Sequence, residues 1–473
     1  MGHAMGGLWE LSVEQMAAGV AASDFSAREL LAAHLGRVEE VNGDLNAIVR
    51  LVAEAHEQAD AADAAVRRGD PLGALHGVPF SVKENIDVEG YPTTLGVPAR
   101  LNAVATRDAP SVERLRRAGA FPFARTNLPD LGLRVHTRST LYGLTRNPFS
   151  RERTAGGSSG GEASAIASGM SPFGLGNDIG GSLRNPAYCC AIVSLKPTAH
   201  RIAVASTTAP APPNLAGQMM SVTGPMARRV GDLRLLFDLL AGPDPRDPMV
   251  APTPRTSRDV APGRVALLAE PAGGTTAASV AEGVRTAGRA LEGAGYEVVE
   301  VAPPRLEEAV SVWGRLLLAD VYVELANARE VMSNEALWIL SAAVEHLPTP
   351  TLEIVHDLHQ RRHAIQREWA DFFQEYPLLV GPTWTQPPFV NDLDVRDEAG
   401  RAEVTELTRF VAPMNVLGLP AVCVPVGLHE GLPLGVQVVA NRFDEGRCLA
   451  AAAELEAALG TFTPVTPWGQ RVA

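Results

Sequence analysis

Residues 154–198, TAGGSSGGEASAIASGMSPFGLGNDIGGSLRNPAYCCAIVSLKPT, concentrate glycine and serine more densely than any other part of the chain. Two clusters stand out: Gly156-Gly157-Ser158-Ser159-Gly160-Gly161 and Asp178-Ile179-Gly180-Gly181-Ser182-Leu183-Arg184. The small residues from Glu162 to Gly169 suit a buried helix, because small side chains let neighbouring backbone approach closely. In the second cluster, a Gly-Gly pair can adopt backbone conformations closed to other residues. Successive N–H groups then line one concavity and bind an anion. A serine there can attack a carbonyl and pass the oxyanion to those donors, each worth ~3 kcal/mol of transition-state stabilisation. A glycine-rich turn with an incidental serine fits the same residues, so the cluster alone leaves both readings open.

Lys83 separates them. It ends a short strand-like run, Pro79-Phe80-Ser81-Val82, among apolar neighbours. A lysine at a strand end is usually exposed. A buried one loses up to ~3–5 pKa units to desolvation and becomes a usable base near neutral pH.

With these residues in view, the chain resembles the amidase signature family. The matching segments are GVPFSVKENIDV (77–88), TNLPDLG (126–132), GLTRNPF (143–149), AGGSSGGEASAIASG (155–169), GNDIGGSLRNPA (176–187), SLKPT (194–198), GPMARRVGDL (224–233) and APMNVLGLPAVCVPVGLHEGLPLGVQVVA (412–440). The resemblance spans essentially the whole chain. It implies an α/β fold: a large mixed, mostly parallel-type central sheet flanked by helices on both faces, with a smaller lobe from the middle of the chain. It also implies a Ser–cis-Ser–Lys triad, with Ser182 as nucleophile, Ser158 as bridging serine after a cis Gly157–Ser158 bond, and Lys83 as terminal base. The N–H groups of Ile179, Gly180, Gly181 and Ser182 are then expected to receive the oxyanion. By the same resemblance Asp178 and Arg184 hold the loop, Ser159 supports the network around Lys83, and the Gly132 carbonyl faces the substrate. A partly exposed Asp178–Arg184 pair of little energetic worth is the plainer alternative, as an ordinary loop glycine is for Gly132. The expected reaction is cleavage of the C–N bond of a small linear amide (aryl, primary or aliphatic, with carbamates and esters as further candidates) through an acyl-enzyme, without metal or cofactor.

Three rival patterns occur. Gly156-x-Ser158-x-Gly160 satisfies the G-x-S-x-G elbow, which requires a preceding apolar strand. Arg151-Glu152-Arg153-Thr154 stands there instead, and His429 would have to be the catalytic histidine. Gly174-x-Gly176 with Gly180 imitates a dinucleotide fingerprint, but the third glycine is one place late and Asn185-Pro186 replaces the expected helix. Finally, the family includes the glutaminase-type subunit of an aminoacyl-tRNA amidotransferase. Those subunits carry an Ala-Pro-Ala-Glu-Ala-Ser-Ser-Asn-Leu stretch with no counterpart in residues 306–345.

By the same resemblance, the remaining chain is expected to organise around this centre as one amidase domain, residues 1–473. Residues 8–68 read as helices, with Ser12 and Ser26 as N-caps and a full capping box at Ser26–Glu29. Alternating strand-like and helix-like segments over 74–240 indicate an α/β sheet. Residues 241–263 are a Pro-rich linker, 264–390 a cover lobe, and 391–473 a return to the core. Trp313, Leu316, Trp338 and Trp384 are the apolar residues expected to shape a pocket, with ordinary core packing as their alternative. His356, His359 and His363 share one helix face, where charged neighbours favour a solvated surface over a metal site.

The net charge of −13, from 41 basic against 54 acidic residues, repels phosphate backbones and argues against nucleic acid. Four cysteines, Cys189, Cys190, Cys423 and Cys448, fit a reducing cytoplasm; the vicinal pair reads as buried packing. No signal peptide and no membrane span is expected, and residues 1–4 are compatible with an expression scar. The expected partners are a small-molecule amide and water, in a monomer or homodimer.

Overall fold

The computed structural model describes residues 5–209, 212–250, 252–253, 260–345 and 348–469. Residues 1–4 and, within the expected linker, residues 251 and 254–259 lie outside them. Thirteen strands occur among the described residues, in chain order: β1 (Ile48–Leu51), β2 (Pro79–Lys83), β3 (Phe121–Thr126), β4 (Arg138–Ser139), β5 (Gly143–Leu144), β6 (Phe173–Asp178), β7 (Val193–Lys196), β8 (Val222–Ala227), β9 (Arg264–Leu267), β10 (Glu297–Glu300), β11 (Leu378–Pro382), β12 (Ala421–His429) and β13 (Leu432–Ala440). Eleven of them form one sheet in the order β1-β3-β2-β6-β8-β7-β12-β13-β11-β9-β10. β4 and β5 make a separate small ribbon.

This is a large mixed sheet flanked by helices, the architecture the resemblance implied. Parallel pairing joins β3-β2-β6 on one flank and β11-β9-β10 on the other. The pairs between those blocks, and β1 with β3, are antiparallel.

Strand alternation buries both faces. Val265 and Leu267, Leu378 and Val380, and Val436 and Val438 point into one core. Their neighbours Ala266, Leu379 and Val439 point into a second. The first core is closed by the N-terminal helices Val13–Ala22 and Ala27–Leu45 and by Ala278–Gly293 and Glu445–Leu459. Ser12 and Ser26 both cap with the full reciprocal box. The second core is covered by Leu306–Ala328 and Leu352–Glu375, helices from the middle region.

The same alternation fixes the direction of Lys83. Within β2, Phe80 and Val82 enter the first core, and Phe80 stacks on Phe173 with ring centroids 5.4 Å apart. Ser81 and Lys83 therefore face the other side, where the helix Gly160–Ala167 lies with all eight residues buried. Phe80→Ala removes the packing beneath this strand and is expected to cost about 3–5 kcal/mol, measurable as a lowered denaturant midpoint with the slope unchanged.

Candidate active site

Lys83 ends β2 with its side chain wholly buried. Its Nζ donates to Ser158 Oγ at 2.7 Å and to Asn177 Oδ1 at 2.7 Å. Burial pushes the amine down to about 7, against the opposing pull of Asp178 and Glu162. Glu162, on the buried helix, accepts hydrogen bonds from Ser81 Oγ and, at 2.6 Å, from Thr126 Oγ1. Burial pushes its carboxyl up to about 7 against those bonds and the charges of Lys83 and Arg125.

Ser158 follows a cis Gly157–Ser158 peptide bond. Gly157 has no room for a side chain: a Cβ there would lie 2.6 Å from the Val135 carbonyl carbon and 2.7 Å from the His136 nitrogen. The loop pressing on it is pinned by Arg134 to Asp394 (2.8 Å) and by Arg138 to Asp392 (2.6 Å). Gly132 lies close to the bridging serine, with the position its Cβ would take 3.5 Å from Ser158 Oγ. Ser159 is buried, and its Oγ lacks a hydrogen-bond partner among the described residues, which corrects the expectation that its side chain supports the hydrogen-bond network around Lys83.

The second cluster folds as a loop between β6 and the short helix Arg184–Cys189. Asp178 Oδ1 accepts from the Gly181 N–H at 2.7 Å and Oδ2 from the Leu183 N–H at 3.1 Å. Arg184 Nε and Nη2 each reach the same carboxylate at 3.1 Å. Both side chains are fully buried, so the partly exposed pair considered from sequence is overturned. Burial alone would raise the Asp178 carboxyl; the Arg184 guanidinium and its hydrogen bonds outweigh it, helped by Lys196 and Asn415, and hold it well below the usual range.

The Gly181 N–H is thus engaged inside the loop, which corrects the expectation that it faces the oxyanion. Gly181 has φ +99°, a conformation that favours glycine. Among the described residues, no protein acceptor lies on the N–H of Ile179, Gly180 or Ser182. The Ser182 side chain is buried with a small exposed fraction, and its Oγ makes no hydrogen bond to the described residues. The Ser159 N–H donates to the Ser182 carbonyl at 3.3 Å, tying the two clusters together.

Two residues of this network were missed from sequence. Asn177 sits one place before Asp178 and holds Lys83. Asn185 Nδ2 bridges the Gly157 and Gly180 carbonyls at 3.3 Å each, and its N–H meets the Gly181 carbonyl at 2.6 Å. Their signal was present in the flanking motif, but an asparagine beside a glycine turn reads equally well as turn chemistry.

Of the aromatic residues expected around a pocket, Trp313 alone meets the loop: its Nε1 donates to the Ile179 carbonyl at 2.9 Å. Trp384 is buried behind it, bonded to Asn185 Oδ1 at 2.8 Å and stacked on Phe389. Leu316 is in the second core, and Trp338 lies 5.5 Å beneath the Arg401 guanidinium. The four cysteines are free and buried. No group of three metal-binding side chains converges among the described residues, and no described helix is long and apolar enough to cross a membrane. Of Arg151-Glu152-Arg153-Thr154 before the first cluster, the first two residues form a turn and the last two make isolated bridges to Val390 and Arg146 rather than a strand, and His429 ends β12 in an exposed position. Gly176 lies on β6, where a Cβ would meet Ser159 Oγ at 2.8 Å; its role is close packing against the first cluster.

The family model for amidases matches residues 29–449. The chain belongs to the amidase signature family. It is 38% identical over 455 residues to an indoleacetamide hydrolase of Bradyrhizobium diazoefficiens, covering 95% of this chain and 87% of that one. It is 30% identical to a glutamyl-tRNA(Gln) amidotransferase subunit of Chromohalobacter salexigens, covering 98% and 99%. A solved 6-aminohexanoate cyclic dimer hydrolase superposes with a TM-score of 0.84 at 28% identity, covering 96% of this amidase and 97% of that chain.

The buried pair generates a prediction for this amidase. Arg184→Met leaves Asp178 without its partner and should cost about 3–5 kcal/mol. The check is the loss in unfolding free energy, which should far exceed that of a surface arginine such as Arg289→Met.

Proposed function

We propose that this amidase is a stand-alone serine hydrolase of small linear amides, with primary amides of arylacetic acids as its foremost substrate class. The observation that carries the reading is the buried Lys83 amine, pushed to about 7 and bonded at 2.7 Å to the hydroxyl that follows the cis bond.

In its uncharged form, Nζ gives one N–H to Asn177 Oδ1, which can only accept. That leaves its lone pair for the Ser158 proton. Ser158 in turn takes the proton of Ser182, and Ser182 Oγ bonds to the amide carbon. The carbonyl oxygen becomes an oxyanion, received by the N–H groups of Ile179, Gly180 and Ser182. Collapse breaks the C–N bond as the proton returns through Ser158 to the leaving amine. Water then cleaves the acyl-enzyme by the same route and releases the acid. In this scheme Asp178, Gly181 and Arg184 shape the loop, Ser159 lies behind it, and Gly132 borders the substrate. No step calls for a metal or cofactor.

The substrate class rests on the identity to indoleacetamide hydrolase. The second reading is a glutaminase-type subunit of an aminoacyl-tRNA amidotransferase. The relatives of that name, at 30–33% identity over nearly their full length, favour it. A panel of indole-3-acetamide, a phenylacetanilide, a carbamate and glutamine separates the two. The purified chain alone should turn over the arylacetamide and leave glutamine untouched; the reverse preference, or activity only with added subunits, would sink the stand-alone reading.

Two further outcomes are expected. Ser182→Ala should lower kcat by about 10⁴-fold or more and Lys83→Ala by a comparable factor, with folding retained by circular dichroism. Activity of the wild type should climb with pH through about 7 and level off above it, because the base works only without its proton. The same depression affects stability: the unfolded lysine, at ~10.4, binds a proton that the folded one lacks. Its contribution is therefore fully present above that value and is lost as pH falls through about 7.

A further inference from the structure

We infer that Trp313, on the cover helix Leu306–Ala328, is a positioning residue that aims the Gly180 N–H at the oxyanion. The inference deepens the serine-amidase reading and rests on it. Three consecutive carbonyls in the loop are each held by a different donor. Asn185 holds those of Gly180, through Nδ2 at 3.3 Å, and Gly181, through its N–H at 2.6 Å. Both of these bonds come from the adjoining helix, so they form within one piece of the chain. The Ile179 carbonyl is different, because its donor, Trp313 Nε1 at 2.9 Å, arrives from the middle of the sequence.

A trans peptide is planar, with its C=O and N–H pointing in opposite directions. The Ile179 carbonyl and the Gly180 N–H belong to one such plane. Holding the carbonyl against the cover helix therefore turns the N–H away from that helix and fixes its direction. That N–H meets no protein acceptor among the described residues. The ring reinforces the bond: a Cβ on Gly180 would lie 2.5 Å from Trp313 Cζ2 and 3.3 Å from Cη2. Gly180 is not in the left-handed region, so this contact, rather than backbone conformation, is what demands a glycine there. The cover lobe thus takes part in the chemistry by orienting a donor, without touching the reacting atoms.

The test measures kcat, KM and the affinity for benzylboronic acid, which forms a tetrahedral adduct on a nucleophilic serine, in wild type, Trp313→Phe and Gly180→Ala. Phenylacetate serves as the trigonal ground-state ligand. Trp313→Phe keeps an aromatic ring and removes the N–H. It should lower kcat and boronate affinity together, by about tenfold or more given what one such donor is worth, while KM and phenylacetate affinity stay within about twofold. Gly180→Ala leaves the cover helix intact and pushes the ring away; it should show the same split. In a Trp313→Leu background the added methyl should cost much less than in the wild type, a non-additivity expected only of groups in contact. A Trp313→Phe enzyme with wild-type kcat and boronate affinity overturns the inference, as does additivity of the two substitutions. Ser182→Ala separates the levels: if it is inactive and binds no boronate while Trp313→Phe is unimpaired, only the role of Trp313 fails. If Ser182→Ala stays active, the serine reading fails and the inference falls with it.

Discussion

The buried pair of Asp178 and Arg184 is the interaction on which the rest of the site depends. Two charges taken out of water cost several kcal/mol each unless every polar atom finds a partner. Here they do. The carboxylate accepts from the guanidinium, from the N–H groups of Gly181 and Leu183, and from Asn415 Nδ2 at 2.8 Å. The guanidinium also donates to the Val411 carbonyl at 3.0 Å, Gln437 Oε1 at 2.9 Å and Asn415 Oδ1 at 2.7 Å. Asn415 and Gln437 come from the late segment 412–440. This explains physically why a stretch remote in sequence belongs to the same motif set: it completes the solvation that the loop's charges gave up.

That arrangement also sets the field at Lys83. Asp178 is one of two anionic groups opposing the loss of charge on the buried amine, and Glu162 is the other. Lys196, equally buried on β7, shows the same balance with a different sign of neighbour. Burial pushes it down to about 7, Arg184 pushes further in that direction, and Asp178 and Glu445 oppose. One carboxylate thus faces two buried lysines and one arginine. Its own proton affinity is depressed by that company, so it keeps its charge throughout the range in which the lysines titrate.

Much of this was legible in the chain. The strand-like run Pro79–Val82 ending in a lone lysine among apolar neighbours singled out Lys83, although which way it points came only with the sheet. The capping boxes at Ser12 and Ser26 marked two helix starts, because their signals are local. Glycine pairs marked the loop around Ser182 for the same reason. What could not be read was the partner of each polar group. That Gly181 gives its N–H to Asp178, that Asn177 holds Lys83, and that Asn185 joins two loops all depend on which way each peptide plane turns. Nor does composition tell which tryptophan reaches the loop. Trp313 and Trp384 look alike as apolar residues, yet one bonds a loop carbonyl and the other backs Asn185 from within the core. Long-range placement, not residue type, separates them.

Lys83 and Glu162 are buried close enough for each charge to act on the other. Burial lowers the proton affinity of the amine and raises that of the carboxyl, bringing both to about 7. These are two sides of one physical fact: a low-dielectric interior favours the neutral forms of both over a separated pair of charges. The hydrogen bonds from Ser81 and Thr126 keep Glu162 from rising further, and the charges of Asp178 and Glu162 keep Lys83 from falling further. An uncharged amine near neutral pH is the state a lysine needs to accept a proton from a serine, and the burial that builds the core around β2 is what produces it.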